Sequence, residues 1–307
     1  MKTEKLRDTG QGKSTAGPGM GTPLDLEKLE SHMPLVTEHT YTPHDTILYA
    51  LSVGAGSTGD ESDLQYVYEV NLEALPTMAV VLAYPGFWQQ RPEFGMDWQR
   101  ILHAEQQVFF HKPLAPEGRV RGVTSVDRIY DKGPDKGALL YVKREIRNCD
   151  TDELLATVVQ GSFLRGNGGF SGTTQSSPKP TPVPDRTPDD SLDMPTSAAQ
   201  AMLFRLNGDM NPIHIDPEVA RAGGLERPIL HGLCTFGVAS RAVLRLLCGD
   251  RSARLRSIGG RFTAPVFPGD SIVTEVWRTG VGTGAFRCWV KERESLVIDS
   301  GTVTFDE

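Results

Sequence analysis

The sequence predicts an α+β protein made of two copies of one unit, in each of which an antiparallel sheet curls round a helix. Two observations lead to this prediction. Similar patterns of apolar residues, prolines and glycines recur 152 to 154 residues apart, as expected of an internal repeat. Each copy also ends in three strand-like stretches that follow an apolar helix, an order of elements typical of an α+β layer.

A short helix with one apolar face opens each copy. In the first copy it starts at Thr42 and ends at Gly54, and in the second it starts at Thr196 and ends at Gly208. Glycine favours the end of a helix because it adopts left-handed backbone without strain. The two helices lie 154 residues apart at both ends, which identifies them as copies of one element.

A proline-led apolar helix follows, over Pro76 to Ala83 in the first copy and over Pro228 to Leu247 in the second. The latter is apolar on nearly every side, so we expect it to be buried. Matching proline-rich turns at Pro113 and Pro265 then introduce the strands. The predicted strands are Arg119 to Tyr130, Ala138 to Arg147 and Leu154 to Leu164 in the first copy, and Ser271 to Trp277, Ala285 to Glu292 and Leu296 to Thr304 in the second.

Composition divides the chain into four parts. Residues 1–24 are rich in Lys, Gly, Thr and Ser, and we expect a leader that is disordered or foreign to the fold. Residues 25–165 hold the first copy and residues 191–307 the second. Between them, sixteen of the twenty-five residues in 166–190 are Gly, Pro, Ser or Thr, which predicts an extended linker. We expect the sheets of the two copies to join edge to edge, because this would hide unpaired strands.

The composition excludes several classes of protein. Lys and Arg number 32 against 39 Asp and Glu, so the chain lacks the basic surface that nucleic acid requires. No apolar run approaches the roughly 18 residues of a membrane span. Four widely spaced cysteines without a C-x-x-C pair predict free thiols rather than a zinc site or a disulfide scaffold. The N-terminal residues lack the apolar segment of a secretory signal, which predicts an intracellular protein.

The loop from Gly208 to Asp216 is the most unusual string in the sequence. One interpretation is a plain turn, because Asp and Asn favour turns and Asp216 can cap the next helix. The other is catalytic, because Asp209, Asn211 and His214 place a carboxylate, an amide and an imidazole within six residues, as an acid and a base acting on one water require. The matching place in the first copy lacks the carboxylate and the imidazole, and this asymmetry favours chemistry in the second copy.

A second candidate site lies at the start of the long helix, in the string Pro228-Ile229-Leu230-His231-Gly232. In a structural interpretation, Gly232 lets the helix approach a sheet closely, and His231 is a buried or capping histidine. In a functional one, the helix N-terminus presents unpaired N–H groups, and a glycine there lets a substrate carbonyl reach them. Such an arrangement is an oxyanion hole.

Together, Gly208-Asp209-x-Asn211-Pro212-x-His214 and Pro228-Ile229-Leu230-His231-Gly232-Leu233 resemble the hydratase 2 motif of the MaoC-like dehydratases. From about Leu35 onward the chain is similar to the (R)-specific 2-enoyl-CoA hydratase 2 family, which includes the hydratase 2 unit of peroxisomal multifunctional enzyme type 2. The resemblance implies a double hotdog fold, with two tandem units that each wrap an antiparallel sheet round a long helix. It also implies a catalytic C-terminal copy and a degenerate N-terminal copy that binds the acyl chain.

The resemblance implies that Asp209, Asn211 and His214 are catalytic and that Gly232 forms the oxyanion hole. It implies an acyl-CoA thioester substrate, a homodimer, no metal and no cofactor. It places the protein in the peroxisome if the source is eukaryotic and in the cytoplasm if it is bacterial. The implied substrate contacts are His103, Ala104, which is glycine in some relatives, Lys132, Met210, Pro212, Ile213, His231 and Phe262.

The implied activity is the reversible hydration of trans-2-enoyl-CoA to (3R)-3-hydroxyacyl-CoA in fatty acid β-oxidation. Asp209 would take a proton from a water that attacks C3, His214 would protonate C2, and Asn211 would orient the pair. In the first copy, the helix from Pro76 to Ala83 and the aromatic-rich stretch Pro85 to Asp97 are expected to lie along the acyl tail. Two alternatives stay open, an acyl-CoA thioesterase of hotdog fold and a non-catalytic acyl-binding module.

Overall fold

Ten antiparallel strands form one continuous sheet in the computed structural model, which describes residues 22–307. The leader expected over residues 1–24 lies outside the described residues except for its last three. The strands are β1 (Leu35–Tyr41), β2 (Ile101–Phe110), β3 (Gly118–Asp131), β4 (Ala138–Asn148), β5 (Leu154–Leu164), β6 (Asp190–Pro195), β7 (Leu255–Phe262), β8 (Ser271–Gly280), β9 (Thr283–Val290) and β10 (Ser295–Phe305).

The order of strands across the sheet shows how the two copies meet. It runs β1-β3-β4-β5-β2-β7-β10-β9-β8-β6, so the first copy occupies one half and the second copy the other. The halves join where β2 pairs with β7, in a register that sets Glu105 opposite Arg261 and Phe109 opposite Ser257. The two sheets therefore join edge to edge, as the sequence predicts, and only β1 and β6 remain as edges among the described strands.

All six strands predicted from the sequence are confirmed, with ends that differ by a few residues. The longest extension is at β8, which continues from the predicted end at Trp277 to Gly280. The sequence did not predict β1, β2, β6 or β7. Residues 166–189 contain neither helix nor strand, and β6 begins at Asp190.

The long buried helix of the second copy is confirmed as α6 (Gly232–Cys248). It starts four residues after Pro228 and ends before Gly249, whose φ of +61° is left-handed. It packs against β6 and β8, on one face of the sheet. Its buried residues are Cys234, Thr235, Phe236, Gly237, Val238, Ala239, Ser240, Arg241, Ala242, Val243, Leu244, Leu247 and Cys248.

The helix predicted over Pro76 to Ala83 is wrong, because only a short 3-10 turn forms there, over Pro76–Val80. The chain leaves this turn through Ala83, which has a left-handed φ of +48°, and Pro85 follows two residues later. A proline so close behind prevents the helix from continuing. The buried guanidinium of Arg144 donates to the carbonyls of Ala79 and Val80, which a longer helix would have used itself.

The remaining helices are short. The helix that opens the first copy is confirmed, and Thr42 and Asp45 form its capping box. Its partner in the second copy starts at Gln200, later than Thr196, continues as a 3-10 turn over Arg205–Asn207 and ends at Gly208 as predicted. No helix in residues 22–307 is long and apolar enough to cross a membrane. The helices are α1 (Leu26–Ser31), α2 (Pro43–Ser52), α3 (Leu64–Val67), α4 (Gln200–Phe204), α5 (Pro217–Ala222) and α6.

The aromatic-rich stretch from Pro85 to Asp97 forms a small second core. Within it, Trp88 and Phe94 are buried and their rings meet edge to face, 4.8 Å apart. They pack with Leu29 of α1 and with Leu140 of β4, apart from the main core around α6. These side chains therefore stabilise one end of the first copy.

Candidate active site

The loop after Gly208 is held by bonds from its own side chains. Gly208 has a φ of +110°, and a Cβ at this position would meet nothing within 4 Å, so glycine is required here for its backbone and not for space. Asp209 Oδ1 accepts the backbone N–H of Asn211 at 3.2 Å, and Asn211 Oδ1 accepts that of Ile213 at 3.2 Å. The loop is thus a turn, as one interpretation held, and it also sets the carboxylate of Asp209 at a fixed place.

His214 lies at the end of a 3-10 turn over Pro212–His214 and is only 9% exposed. Its Nδ1 lies 2.9 Å from the carbonyl oxygen of Ile229. Because a carbonyl only accepts, Nδ1 carries the proton, and Nε2 of the neutral ring presents a lone pair. Burial lowers the pKa of His214, and the nearby charge of Asp209 opposes this shift. The neutral ring is therefore the resting form at physiological pH.

His231 lies beneath His214. The two rings are stacked with centroids 3.7 Å apart, and His231 is only 1% exposed. Its Nε2 lies 3.2 Å from the backbone carbonyl of Asp209, so it holds the loop after Gly208 from below. Burial, followed by the nearby His214, lowers the pKa of His231 to about 3. His231 thus packs under His214, and the substrate contact that the resemblance implies for it stays a prediction.

Ligand atoms of Asp209, His214 and His231 lie within 4.8 Å of one another, close enough to consider a metal. A zinc ion lies about 2 Å from each ligating nitrogen, along the lone pair in the plane of its ring. Two rings inclined by only 27° and stacked face to face direct their lone pairs side by side and do not converge. The geometry fits a stacked pair of imidazoles better than a shared metal.

The N-terminus of α6 forms the second wall of the site. Gly232 is the first residue of the helix, so its amide has no partner within the helix and is free to bind an oxygen. The ring of Phe262, at the end of β7, lies 3.5 Å from the position that a Cβ on residue 232 would take. A side chain at residue 232 would therefore fill the space between the helix start and this ring.

The first copy contributes His103 from β2. Its ring meets Phe262 edge to face with centroids 4.9 Å apart, and its Nε2 lies 3.2 Å from the carbonyl of Glu105. Burial lowers the pKa of His103 to about 4, although the charge of Asp209 acts in the opposite direction. The pairing of β2 with β5 shifts register at Ala104, between His103 and Glu105. Such a bulge redirects neighbouring side chains, and here it directs His103 toward the second copy.

Lys132 lies in a separate cavity of about 800 Å³, at the edge of the sheet where β2 begins and β5 ends. Its Nζ donates to the carbonyl of Gln175 and to the hydroxyl of Ser177, both in the linker. Arg100, also in this cavity, precedes His103 by three residues, a distance of about 10 Å along a strand. The cationic side chains that line the cavity are Arg100, Lys132, Lys136, Arg165 and Lys179.

The other loop residues expected at the substrate follow Asp209 closely in the chain. Met210 is 53% exposed, Pro212 is also exposed, and Ile213 is half-buried. One neighbour of the site was missed, Tyr84, whose pKa is raised by burial and by the charge of Asp209. Nothing in the sequence signals this tyrosine, because the left-handed turn just before it replaces the helix that the repeat pattern predicts.

Comparison with known proteins identifies the family of this chain. Residues 179–299 match the model of the MaoC like domain, and residues 39–166 match that of the MFE-2 hydratase 2 N-terminal domain. The chain belongs to the MaoC-like dehydratase family. It is 40% identical over 273 residues to 3-hydroxyacyl-thioester dehydratase Y of Mycobacterium tuberculosis, covering 86% of this chain and 93% of the relative. It is 36% identical to the probable enoyl-CoA hydratase 2 of Dictyostelium discoideum, covering 92% and 97%.

Solved structures of the family share the fold. A MaoC-like dehydratase from Phytophthora capsici superposes with a TM-score of 0.81 at 37% identity, covering 92% of this chain and 99% of that one. The full-length peroxisomal multifunctional enzyme type 2 of Drosophila melanogaster gives a TM-score of 0.77 at 32% identity, and the match covers 50% of its chain. A mycobacterial protein described as a double hotdog gives 0.54 at 17% identity. The α+β double hotdog fold that the sequence predicts is therefore confirmed.

Proposed function

We propose that this protein is an enoyl-CoA hydratase that reversibly adds water to trans-2-enoyl-CoA and forms (3R)-3-hydroxyacyl-CoA without a cofactor. The main support is one juxtaposition. A carboxylate oxygen of Asp209 and a ring nitrogen of the buried His214 lie within 4.8 Å of each other, and His214 stacks on His231, the residue just before the first amide of α6. Two acceptors for one water next to an oxyanion site are what addition to an unsaturated thioester requires.

The thioester carbonyl makes C3 electrophilic and allows C2 to accept a proton. As a water oxygen attacks C3, negative charge moves to the thioester oxygen, where the amide of Gly232 stabilises the enolate. Asn211 contributes by holding the turn over Pro212–His214, because its side chain caps that turn. Oxyanion donor, acid and base are thus all supplied by two adjacent segments of the second copy.

The proton balance follows from the tautomer of His214. Asp209 and His214 accept the two hydrogens of one water, and one proton passes to the pair as the C3–O bond forms. Because Nε2 of resting His214 carries no proton, the proton that it delivers to C2 is one that the pair has just taken from the water. Water adds across the double bond with no net uptake or release of protons.

The remote parts of the substrate fit two places outside the reacting centre. We assign the phosphates of CoA to the cavity of Lys132, because five cationic side chains line it against one carboxylate, that of Asp135. We assign the acyl tail to the first copy, since Tyr84 and His103 both approach Asp209 from that side. A bulkier Tyr84→Trp variant should shorten the preferred acyl chain in a series from four to about sixteen carbons.

Incubation with crotonyl-CoA tests the proposed reaction. We expect loss of enoyl absorbance, release of no free thiol, and a 3-hydroxybutyryl product of R configuration by chiral chromatography. Release of free thiol would instead indicate a thioesterase, and no change in either signal would indicate an acyl-binding module. Either of these outcomes would overturn the proposal.

We also propose that the enzyme is a homodimer, because β1 and β6 leave two sheet edges free in the described chain. Light scattering should give twice the monomer mass of 33.6 kDa, and a mass of 33.6 kDa at micromolar concentration would refute this. For its compartment we propose the peroxisome in a eukaryotic host and the cytoplasm in a bacterial one, which imaging of a fluorescent fusion can test.

A further inference from the structure

A single serine of the first copy contacts three elements of the second. Ser52, the last residue of α2, is fully buried. Its carbonyl accepts the amide of Gln200 at 2.6 Å and the thiol of Cys234 at 3.3 Å. Its hydroxyl donates to the carbonyl of Tyr49 at 2.7 Å and accepts the side-chain amide of Asn207 at 2.9 Å.

Asn207 lies two residues before Asp209. It ends the 3-10 turn over Arg205–Asn207, and only Gly208 separates it from Asp209. The same side-chain nitrogen that reaches Ser52 also donates to the carbonyl of Phe204 at 2.9 Å, so both of its hydrogens are used. The orientation of the amide is therefore fixed by two bonds, one within its own turn and one across the two copies.

Gly208 makes this anchor important. A Cβ added at this position would meet no atom within 4 Å, so packing does not restrain this residue. Glycine also permits many backbone conformations. The direction in which Asp209 leaves the turn therefore depends on where the residue before the glycine is held, in addition to the bonds that Asp209 makes with Asn211 and His231. A displacement of about 1 Å at the reacting groups can lower a rate by about 100-fold.

We propose that the hydrogen bond between Ser52 and Asn207 positions the catalytic loop, with both residues acting through Asp209 and neither touching the substrate. This inference rests on the proposed hydratase function. It assigns to the degenerate copy a role in catalysis beyond binding the acyl tail, since its α2 helix fixes the start of the catalytic loop of the other copy.

The test compares Ser52→Ala, Asn207→Ala, the double variant and Gln200→Ala in crotonyl-CoA hydration. Gln200→Ala is the matched control, because it removes another bond to the same serine at the other end of the segment, eight residues before Gly208. We expect kcat to fall about 5- to 20-fold in both single variants with KM changed less than about twofold. The double variant should be no slower than the slower single one, and the control should keep its kcat.

Hydrogen exchange of residues 208–214 gives a second readout that does not need activity. We expect faster exchange in Ser52→Ala and Asn207→Ala, and wild-type exchange in Gln200→Ala. Unchanged kcat and exchange in the single variants, equal losses in the control, or additive losses in the double variant would overturn the proposal. If the wild type does not hydrate crotonyl-CoA, the proposed function fails, while loop exchange still decides whether the contact positions the loop.

Discussion

The imidazole of His231 lies flat against that of His214, with centroids 3.7 Å apart and 27° between the ring planes. Both rings are buried, so a proton on one would be poorly solvated and would repel a proton on the other. Burial accordingly lowers the pKa of both. By covering one face of the upper ring, the lower ring contributes to the burial that keeps His214 neutral.

The pH dependence of activity should reflect this. Since burial holds the pKa of His214 below 6.5, more than half of its rings are still neutral at that pH. We expect kcat/KM for crotonyl-CoA to fall to half of its value at neutral pH only below pH 6.5. Initial rates in buffers of constant ionic strength test this, and an acid limb with an apparent pKa at or above 6.5 would contradict it.

Stability should also depend on pH. In the unfolded chain histidines take up protons near pH 6.5, whereas the folded protein protonates His103 only near pH 4 and His231 only near pH 3. The unfolded state therefore binds more protons within this window, so stability is full above pH 6.5 and is lost as the pH falls. We expect Tm to drop by several degrees between pH 7.5 and 5 in calorimetry. The drop should shrink in His103→Gln but not in His44→Gln, which alters an exposed ring; a Tm independent of pH would refute the argument.

The acid–base pair should be essential for the reaction and dispensable for folding. We expect Asp209→Asn and His214→Ala each to lower kcat by about 10² to 10⁴-fold, because acid–base groups contribute this much. Circular dichroism should give a Tm near that of the wild type for Asp209→Asn. Asp216→Asn is the matched control, since asparagine also caps a helix and Asp216 only caps α5. Near wild-type turnover in either catalytic variant would remove that residue from the mechanism.

Substitutions of two glycines in α6 should distinguish a role in catalysis from a role in packing. A Cβ at Gly232 would lie 3.5 Å from Phe262, an ordinary contact, whereas one at Gly237 would lie 2.4 Å from Val53 Cγ1. We expect Gly232→Ala to keep its Tm and lose at least about tenfold in kcat/KM, because the methyl group enters the space for the thioester oxygen. Gly237→Ala should lower Tm through overpacking of the core. If Gly232→Ala is fully active, the oxyanion assignment is wrong.

The role of Lys132 can be tested by removing the phosphates from the substrate. We expect Lys132→Ala to raise KM for crotonyl-CoA several-fold with little change in kcat, because a phosphate contact far from the reacting atoms is lost. The N-acetylcysteamine thioester of crotonate has no phosphates and should react equally well with both proteins. Lys112→Ala, at an exposed ion pair with Glu153, serves as the control. An equal effect on both thioesters would place Lys132 elsewhere in the mechanism.

Strongly patterned elements could be predicted from the sequence, and the elements that it missed lack such patterns. Strand β2 carries polar residues inside the sheet, including buried Gln106, and β7 contains Gly259 and Gly260, so neither alternates clearly. β6 is a mostly polar edge strand. In the site, Asp209 and His214 stand out because their types and spacing are unusual. The stacking of His231 and the approach of Tyr84 could not be foreseen, because both depend on how distant segments pack.

The pairing of β2 with β7 lies within one chain, and this determines how the protein behaves at low concentration. Units of this kind on separate chains would meet only as fast as diffusion allows and would part at low concentration. Here both halves belong to one chain, which holds them at a high effective concentration. The pairing of β2 with β7 therefore does not depend on the protein concentration. The proposed active site, with His103 from one half and Asp209 from the other, thus stays assembled however few molecules a cell contains.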